Sequence, residues 1–246
     1  MRIYRPRANI TRDRIIILDP GQIHHLSSVK RLKKGDRVVV FDGESQEYEC
    51  VIDSIAKNRV ELSVGKVRKA ASTELVLTLA CALPKEVKMD YIIEKTVELG
   101  VDRIIPIKTE RTIVEYSSEK AKEKLKRWQA IAIEASKQCG RIKLPEIEPI
   151  SEFSKVVFQV KNYKLAVIPH LGLDNKPLKE IFHDFRPASV IIFIGPEGDF
   201  SGREIKLAKE NGCIGVSLGD LVLKVDTAAI SVVAFSRLFT SYYENI

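Results

Sequence analysis

Ile194-Gly195-Pro196-Glu197-Gly198-Asp199-Phe200-Ser201 is the stretch on which the fold of this chain turns. The apolar run Val190 to Ile194 before it predicts a fully buried strand, and a helical pattern follows. Gly195 and Gly198 bracket the rigid Pro196, which predicts a tight strand-to-helix turn whose backbone comes close to whatever lies above the strand. Ser201 and Glu204 form an S-x-x-E capping box, so the helix start is specified locally. Ligands of α/β proteins bind in crevices at the carboxyl ends of strands. For this segment alone, an ordinary strand-to-helix connection explains the composition as well.

A second loop of the same kind follows. Gly212 ends the helix, Ile214 to Leu218 predicts a short strand, and Leu218-Gly219-Asp220-Leu221-Val222-Leu223-Lys224-Val225-Asp226-Thr227-Ala228 comes next. Asp226 or Thr227 is the expected cap of a final helix from about Ala228 to Tyr242. Two glycine-containing loops, each after a strand, are expected side by side, walling a pocket largely with backbone.

Upstream, Leu75 to Leu83 predicts a strand, Lys85 to Leu99 a helix with Gly100 beyond it, and Arg103 to Ile107 the next strand. Ser117 or Ser118 opens a long helix ending at Gly140, with an apolar seam of Leu125, Trp128, Ala132, Ala135 and Cys139. Lys164 to Ile168 is a further strand. Alternating strands and helices imply an α/β class with a mostly parallel sheet. Glu134, Gln138 and Arg141 stand at i, i+4 and i+7, which predicts one shared helix face beside the seam. Ordinary surface polarity explains that trio equally well.

The first third differs. Arg14 to Leu18, Arg37 to Phe41, Glu47 to Ile52 and Arg59 to Val64 are short β-type runs between turn signals such as Pro20-Gly21 and Asp42-Gly43, which indicates a small β-barrel. Residues 1–72 hold 15 Lys/Arg against 9 Asp/Glu, while the other 174 residues hold 25 against 24. The excess includes Arg2, Arg5, Arg7, Arg12, Arg14, Lys30, Arg31, Lys33, Lys34 and Arg37, and suits contacts to phosphates. A solvated surface is the plainer explanation of the same charge. His24 and His25 have no acidic or cysteine neighbours in sequence, so structural or RNA-contact roles fit them better than a metal site. Cys50, Cys81, Cys139 and Cys213 lie far apart, as expected of reduced residues in a cytoplasmic protein. No apolar run reaches membrane-spanning length.

The pair Gly-Pro-Glu-Gly-x-Phe-Ser and Leu-Gly-x-x-x-Leu-Lys-x-Asp-Thr-Ala resembles the cofactor-binding half of SPOUT-class RNA methyltransferases. Within that class the chain is most similar to the family that methylates N3 of a uridine in small-subunit (16S) ribosomal RNA. His24-His25-Leu26 with Arg31-Leu32-Lys33, Thr109-Glu110-Arg111-Thr112, and Arg127-Trp128-Gln129 with Glu134-Ala135 agree in order along nearly the whole chain. The family usually carries glycine at Asp199, arginine at Leu221 and Lys224, and glutamate at Asp226.

The resemblance implies a PUA-like RNA-binding barrel over residues 1–72 and a trefoil-knotted α/β methyltransferase domain over 73–246. It implies S-adenosylmethionine as cofactor, ribosomal RNA (free or in an assembled small subunit) as partner, a homodimer, and no metal or membrane. Leu171, Ile194, Gly195, Pro196, Glu197, Gly198, Leu218, Gly219, Leu223, Thr227 and Ala228 are expected at the cofactor, with Pro169-His170-Leu171 as a third side. Glu134 is expected as base, Arg141 as electrostatic stabiliser and Gln138 as a further uracil contact. Arg5, Arg7, His24, Lys30, Arg31, Lys33, Glu110, Arg111 and Lys224 are expected to touch RNA. Rival functions are a non-catalytic RNA-binding protein and a related SPOUT enzyme acting on transfer RNA or a ribose 2′-hydroxyl. A phosphate-binding loop is disfavoured, because no G-x-x-x-x-G-K-[ST] is present.

Overall fold

The computed structural model describes residues 1–6, 10, 13–70, 75–85, 88–172, 175–184 and 188–242; Arg7 and Arg12 lie outside them. Two compact units form, one of Met1–Ser72 with Ser136–Leu144, the other of Thr73–Ala135 with Pro145–Ile246.

The first unit is a five-stranded sheet in the order β1-β3-β4-β5-β2. Its strands are β1 Arg2–Tyr4, β2 Arg14–Ile17, β3 Arg37–Phe41, β4 Gln46–Ala56 and β5 Arg59–Lys69. Four overlap the predicted β-type runs, with β4 and β5 extending well beyond them, and β1 is only three residues long, too short for a periodic signal. Every strand sends side chains to one core: Ile3, Ile15, Ile17, Val38, Val40, Tyr48, Cys50, Ile52, Val60 and Leu62. The predicted Asp42-Gly43 turn is built by a buried carboxylate. Asp42 Oδ1 accepts from the backbone N–H groups of Glu44, Ser45 and Gln46 at 2.8 to 2.9 Å, and Gly43 supplies the left-handed φ of 79° that the turn requires. Between β2 and β3, helix α1 Pro20–His24 is capped by Asp19 and runs into a π turn over His25–Val29.

The second unit holds an eight-stranded sheet in the order β11-β13-β10-β12-β6-β7-β8, with β9 beside β7. Its strands are β6 Val76–Ala82, β7 Arg103–Lys108, β8 Glu146–Ile147, β9 Ser151–Glu152, β10 Leu165–Pro169, β11 Lys176–Pro177, β12 Ser189–Ile194 and β13 Ile214–Ser217. All pair in parallel, as the alternating pattern predicts. Such a sheet is covered on both faces, which is why β6 and β12 read as mainly apolar runs. Val190, Ile192 and Ile194 meet one core with Leu77, Leu79 and Trp128, whereas Ile191 and Phe193 meet the other with Phe153 and Phe200.

Helices α2 Lys88–Glu98, α3 Ser118–Cys139, α4 Phe153–Val157, α5 Leu178–Asp184, α6 Gly202–Glu210 and α7 Val225–Tyr242 complete the chain. Two expectations change. Helix α7 starts at Val225, not near Ala228: Val225 is buried and the Ala228 N–H bonds the Lys224 carbonyl at 2.8 Å, so Asp226 and Thr227 sit inside the first turn. Helix α3 ends at Cys139, and Gly140 turns away with φ 85°. Arg141 therefore lies beyond the helix and does not continue the face that carries Glu134 and Gln138. No helix among the described residues is long and apolar enough to cross a membrane.

Candidate cofactor pocket and active site

Strand β10 lies between β13 and β12, so the loops leaving the carboxyl ends of all three meet at one edge of the sheet. The two glycine-containing loops, expected side by side, leave strands that are not neighbours and flank Pro169-His170-Leu171, which becomes the middle wall. Together they enclose a cavity of about 300 Å³. Every expected cofactor residue borders it except Gly198 and Thr227. The Gly198 carbonyl is turned outward to accept from the Arg111 guanidinium at 2.6 Å, and Thr227 is carried out of reach by the early start of α7.

Leu221 and Val222, within the loop Leu218–Leu223 expected to bind the cofactor through its backbone, also border the cavity, as do Asp199, Val216, Ser217, Lys224 and Val225, which are not among the expected cofactor residues. Lys224 was expected on the RNA instead. The pocket-facing stretch 221–225 is continuous, without the periodicity that marks a helix or strand.

The first loop is held from several sides. Gly195 is a glycine for a packing reason, since a Cβ there would stand 3.1 Å from the Phe200 ring. Asp199, not a glycine, takes the left-handed conformation (φ 60°), and its N–H closes a turn on the Pro196 carbonyl at 2.9 Å. Its carboxylate accepts from the N–H groups of Phe200 (2.7 Å) and Leu171 (3.0 Å). Glu197 Oε1 accepts from the Lys85 N–H at 3.0 Å. The Ser201–Glu204 capping box is present as predicted. In the second loop the Ser217 hydroxyl accepts from the Gly219 N–H at 3.2 Å, and Gly219 has φ 123°.

An apolar pocket with backbone edges at the carboxyl ends of parallel strands suits an adenosyl group. The model of an RNA methyltransferase domain matches residues 71–237, and that of an RNA methyltransferase PUA domain matches residues 18–65. The chain belongs to the RNA methyltransferase family.

This methyltransferase is 33% identical to ribosomal RNA small subunit methyltransferase E of Synechocystis sp., over 87% of this chain and 69% of that protein. Among solved structures, one from Legionella pneumophila, described as a methyltransferase in complex with the bound cofactor SAM, superimposes with a TM-score of 0.86 at 31% identity over 96% of each chain. Ribosomal RNA small subunit methyltransferase E from Neisseria gonorrhoeae, bound to S-adenosyl methionine, gives a TM-score of 0.82 at 28% identity, covering 95% of this chain and 94% of that one.

In the methyltransferase, Glu134 and Gln138 are exposed one turn apart on α3. Arg141 is half-buried, its Nε donating to the Lys143 carbonyl at 2.6 Å and its own carbonyl accepting from Arg2 at 3.0 Å. Glu110 and Arg111 are exposed but tied to the cofactor loop: the Glu110 N–H donates to Glu204 at 2.9 Å, and Arg111 bonds Gly198. In the first unit His24, Lys30, Arg31 and Lys33 are all exposed along one stretch, where Arg31 adopts φ 53°. Arg5 differs. It is half-buried, donates to the Ile16 carbonyl at 2.7 Å, and burial lowers its pKa.

Proposed function

We propose that this protein methylates ring nitrogen N3 of a uridine in small-subunit (16S) ribosomal RNA, with S-adenosylmethionine as donor. The observation that carries the reading is the shared pocket: three neighbouring strand ends deliver Leu171, Gly195 and Leu218 to one cavity. The residues fit the cofactor. Ile194, Leu218, Leu223 and Ala228 provide apolar walls for adenosine, and the Glu197 carboxylate suits a cationic ligand. When bound, the cofactor supplies a methyl group already activated on a sulfonium sulfur.

The chain's own task is to make N3 nucleophilic and to hold it in line. Neutral N3 has its lone pair tied into the imide and must lose a proton. Glu134 is assigned as the proton acceptor, Arg141 as the donor that stabilises charge on a uracil carbonyl, and Gln138 as a uracil contact. Glu110 and Arg111, fastened to the cofactor loop, belong to the substrate side of the pocket. His24, Lys30, Arg31 and Lys33 contact phosphates, which adds affinity without sequence readout. The same reading places the enzyme in the cytoplasm as a knotted homodimer, with the exposed Leu221, Val222 and Leu238 covered by the second copy.

Deleting the gene and mapping ribosomal RNA modifications tests the proposal. An N3-methyluridine should vanish from small-subunit RNA and return when purified protein and S-adenosylmethionine are added to RNA or subunits from the deletion strain. Intact N3-methylation in the deletion strain, or a lost methyl at a ribose or in transfer RNA, overturns it.

A further inference from the structure

Asp199 occupies a backbone conformation that glycine adopts freely and L-residues seldom do, with φ 60°. Aspartate is among the residues that tolerate it, but glycine has the easier fit, so the carboxylate needs a separate explanation. Its two oxygens do different things. Oδ1 accepts from the Phe200 N–H at 2.7 Å within its own loop, and Oδ2 accepts from the Leu171 N–H at 3.0 Å in the loop that follows β10. The Phe200 side is rigid, because that ring packs 5.2 Å from Phe153 in the core. Leu171, by contrast, is 67% exposed. Both Asp199 and Leu171 border the cofactor cavity.

We infer that Asp199 is a positioning residue: its carboxylate latches the Leu171 wall to the rigid Gly195–Phe200 loop and thereby sets the affinity of the pocket for its cofactor. The inference rests on the proposed function only for the identity of that ligand. A hydrogen bond to a charged acceptor is stronger than a neutral one, and its loss frees a wall that the ligand would then have to order.

Calorimetry on the full chain with S-adenosylmethionine and with its demethylated product, alongside amide exchange at Leu171, tests this. Asp199→Gly keeps the backbone conformation and removes the latch. It should weaken both ligands by about tenfold alike and speed Leu171 exchange. Asp199→Asn keeps volume and one neutral acceptor oxygen, so it should fall between wild type and glycine; if the glycine variant fails to fold, this variant decides the matter. Unchanged affinity and unchanged Leu171 exchange overturn the latch. So does a loss confined to the charged donor, which would make Asp199 a direct charge contact. Absence of binding by wild type would instead count against the proposed function, while Leu171 exchange in the ligand-free variants still judges the latch.

Discussion

The Glu204 carboxylate holds two backbone N–H groups that lie far apart in sequence: Oε2 accepts from Ser201 and Oε1 from Glu110, each at 2.9 Å. One bond completes the capping box of α6, and the other fixes the Thr109–Thr112 loop beside the cofactor loop. Glu204 is only 5% exposed, and removing it takes the acceptor from both donors, of which Ser201 is itself buried. Glu204→Ala should cost about 2–3 kcal/mol in urea unfolding. It should also lower stability more than Arg111→Ala, which removes the exposed bond to Gly198. Glu204→Gln should recover part of the stability, since one amide oxygen can serve one donor but not both. Equal stability of the alanine variant and wild type would show that the Glu110 bond contributes nothing.

Gly195 offers a test of packing against backbone freedom. A Cβ there stands 3.1 Å from two Phe200 ring carbons and 3.4 Å from Asp199 Oδ1. Gly195→Ala should therefore destabilise by about 1–3 kcal/mol and weaken cofactor binding as Phe200 is pushed from its core site. Phe200→Leu added to Gly195→Ala should relieve the clash, leaving the double variant more stable than the sum of the single effects allows. Strict additivity would place the requirement for glycine elsewhere.

What could be read from sequence divides along physical lines. Strands β6 and β12 were legible because both faces are buried, so each is almost wholly apolar, with Thr78 and Ser189 the polar residues. The Ser201–Glu204 box was legible because both partners lie within one turn. Asp226 and Thr227 look like caps in the sequence, whereas burial of Val225 draws the start of α7 back. Residue spacing alone carries the helix face past Gly140 to Arg141, and the left-handed turn at Gly140 breaks it. The insertion of β10 between the two loop-bearing strands is a long-range pairing that sequence adjacency does not reveal. The bond from Leu171 to Asp199 spans 28 residues and leaves no periodic trace.

Buried thiols set an alkaline limit on stability. Burial pushes Cys81 and Cys213 up to about 12 and Cys50 up to about 11. In the unfolded chain thiols release their protons near pH ~8.5. Between those values the folded protein binds more protons than the unfolded one, so stability falls as pH rises. The contribution is complete below about pH 8 and is lost progressively through the folded-state values, at up to about 1.4 kcal/mol per pH unit for each thiol. Urea midpoints should therefore drop between pH 8 and pH 10. Replacing the three cysteines by alanine should flatten that slope while lowering stability at pH 7. An unchanged slope in the triple variant would assign the alkaline loss to other groups.

Arg237 on α7 should be the most sensitive single charge in the second unit. Its guanidinium donates to the Gly100 carbonyl from Nε (2.9 Å) and Nη2 (2.6 Å), to the Leu75 carbonyl from Nη1 (2.7 Å), and to the Asp102 carboxylate. Asp102 in turn accepts from the Leu77 N–H at 2.9 Å, so one cluster joins α7, the start of β6 and the turn before β7. The arginine and aspartate side chains are 17% and 11% exposed, which keeps solvent from screening the pair. Arg237→Met removes the cation that faces the Asp102 carboxylate, together with three bonds to carbonyls, and should cost about 3–5 kcal/mol. Arg237→Lys keeps the charge but cannot reach two carbonyls and a carboxylate at once, so it should recover less than half of that loss. A paired Arg237→Met/Asp102→Leu variant removes both charges and should be more stable than Arg237→Met alone, as measured by urea unfolding. If the double variant is the less stable of the two, the bond that Asp102 accepts from Leu77 outweighs the relief gained by removing its charge.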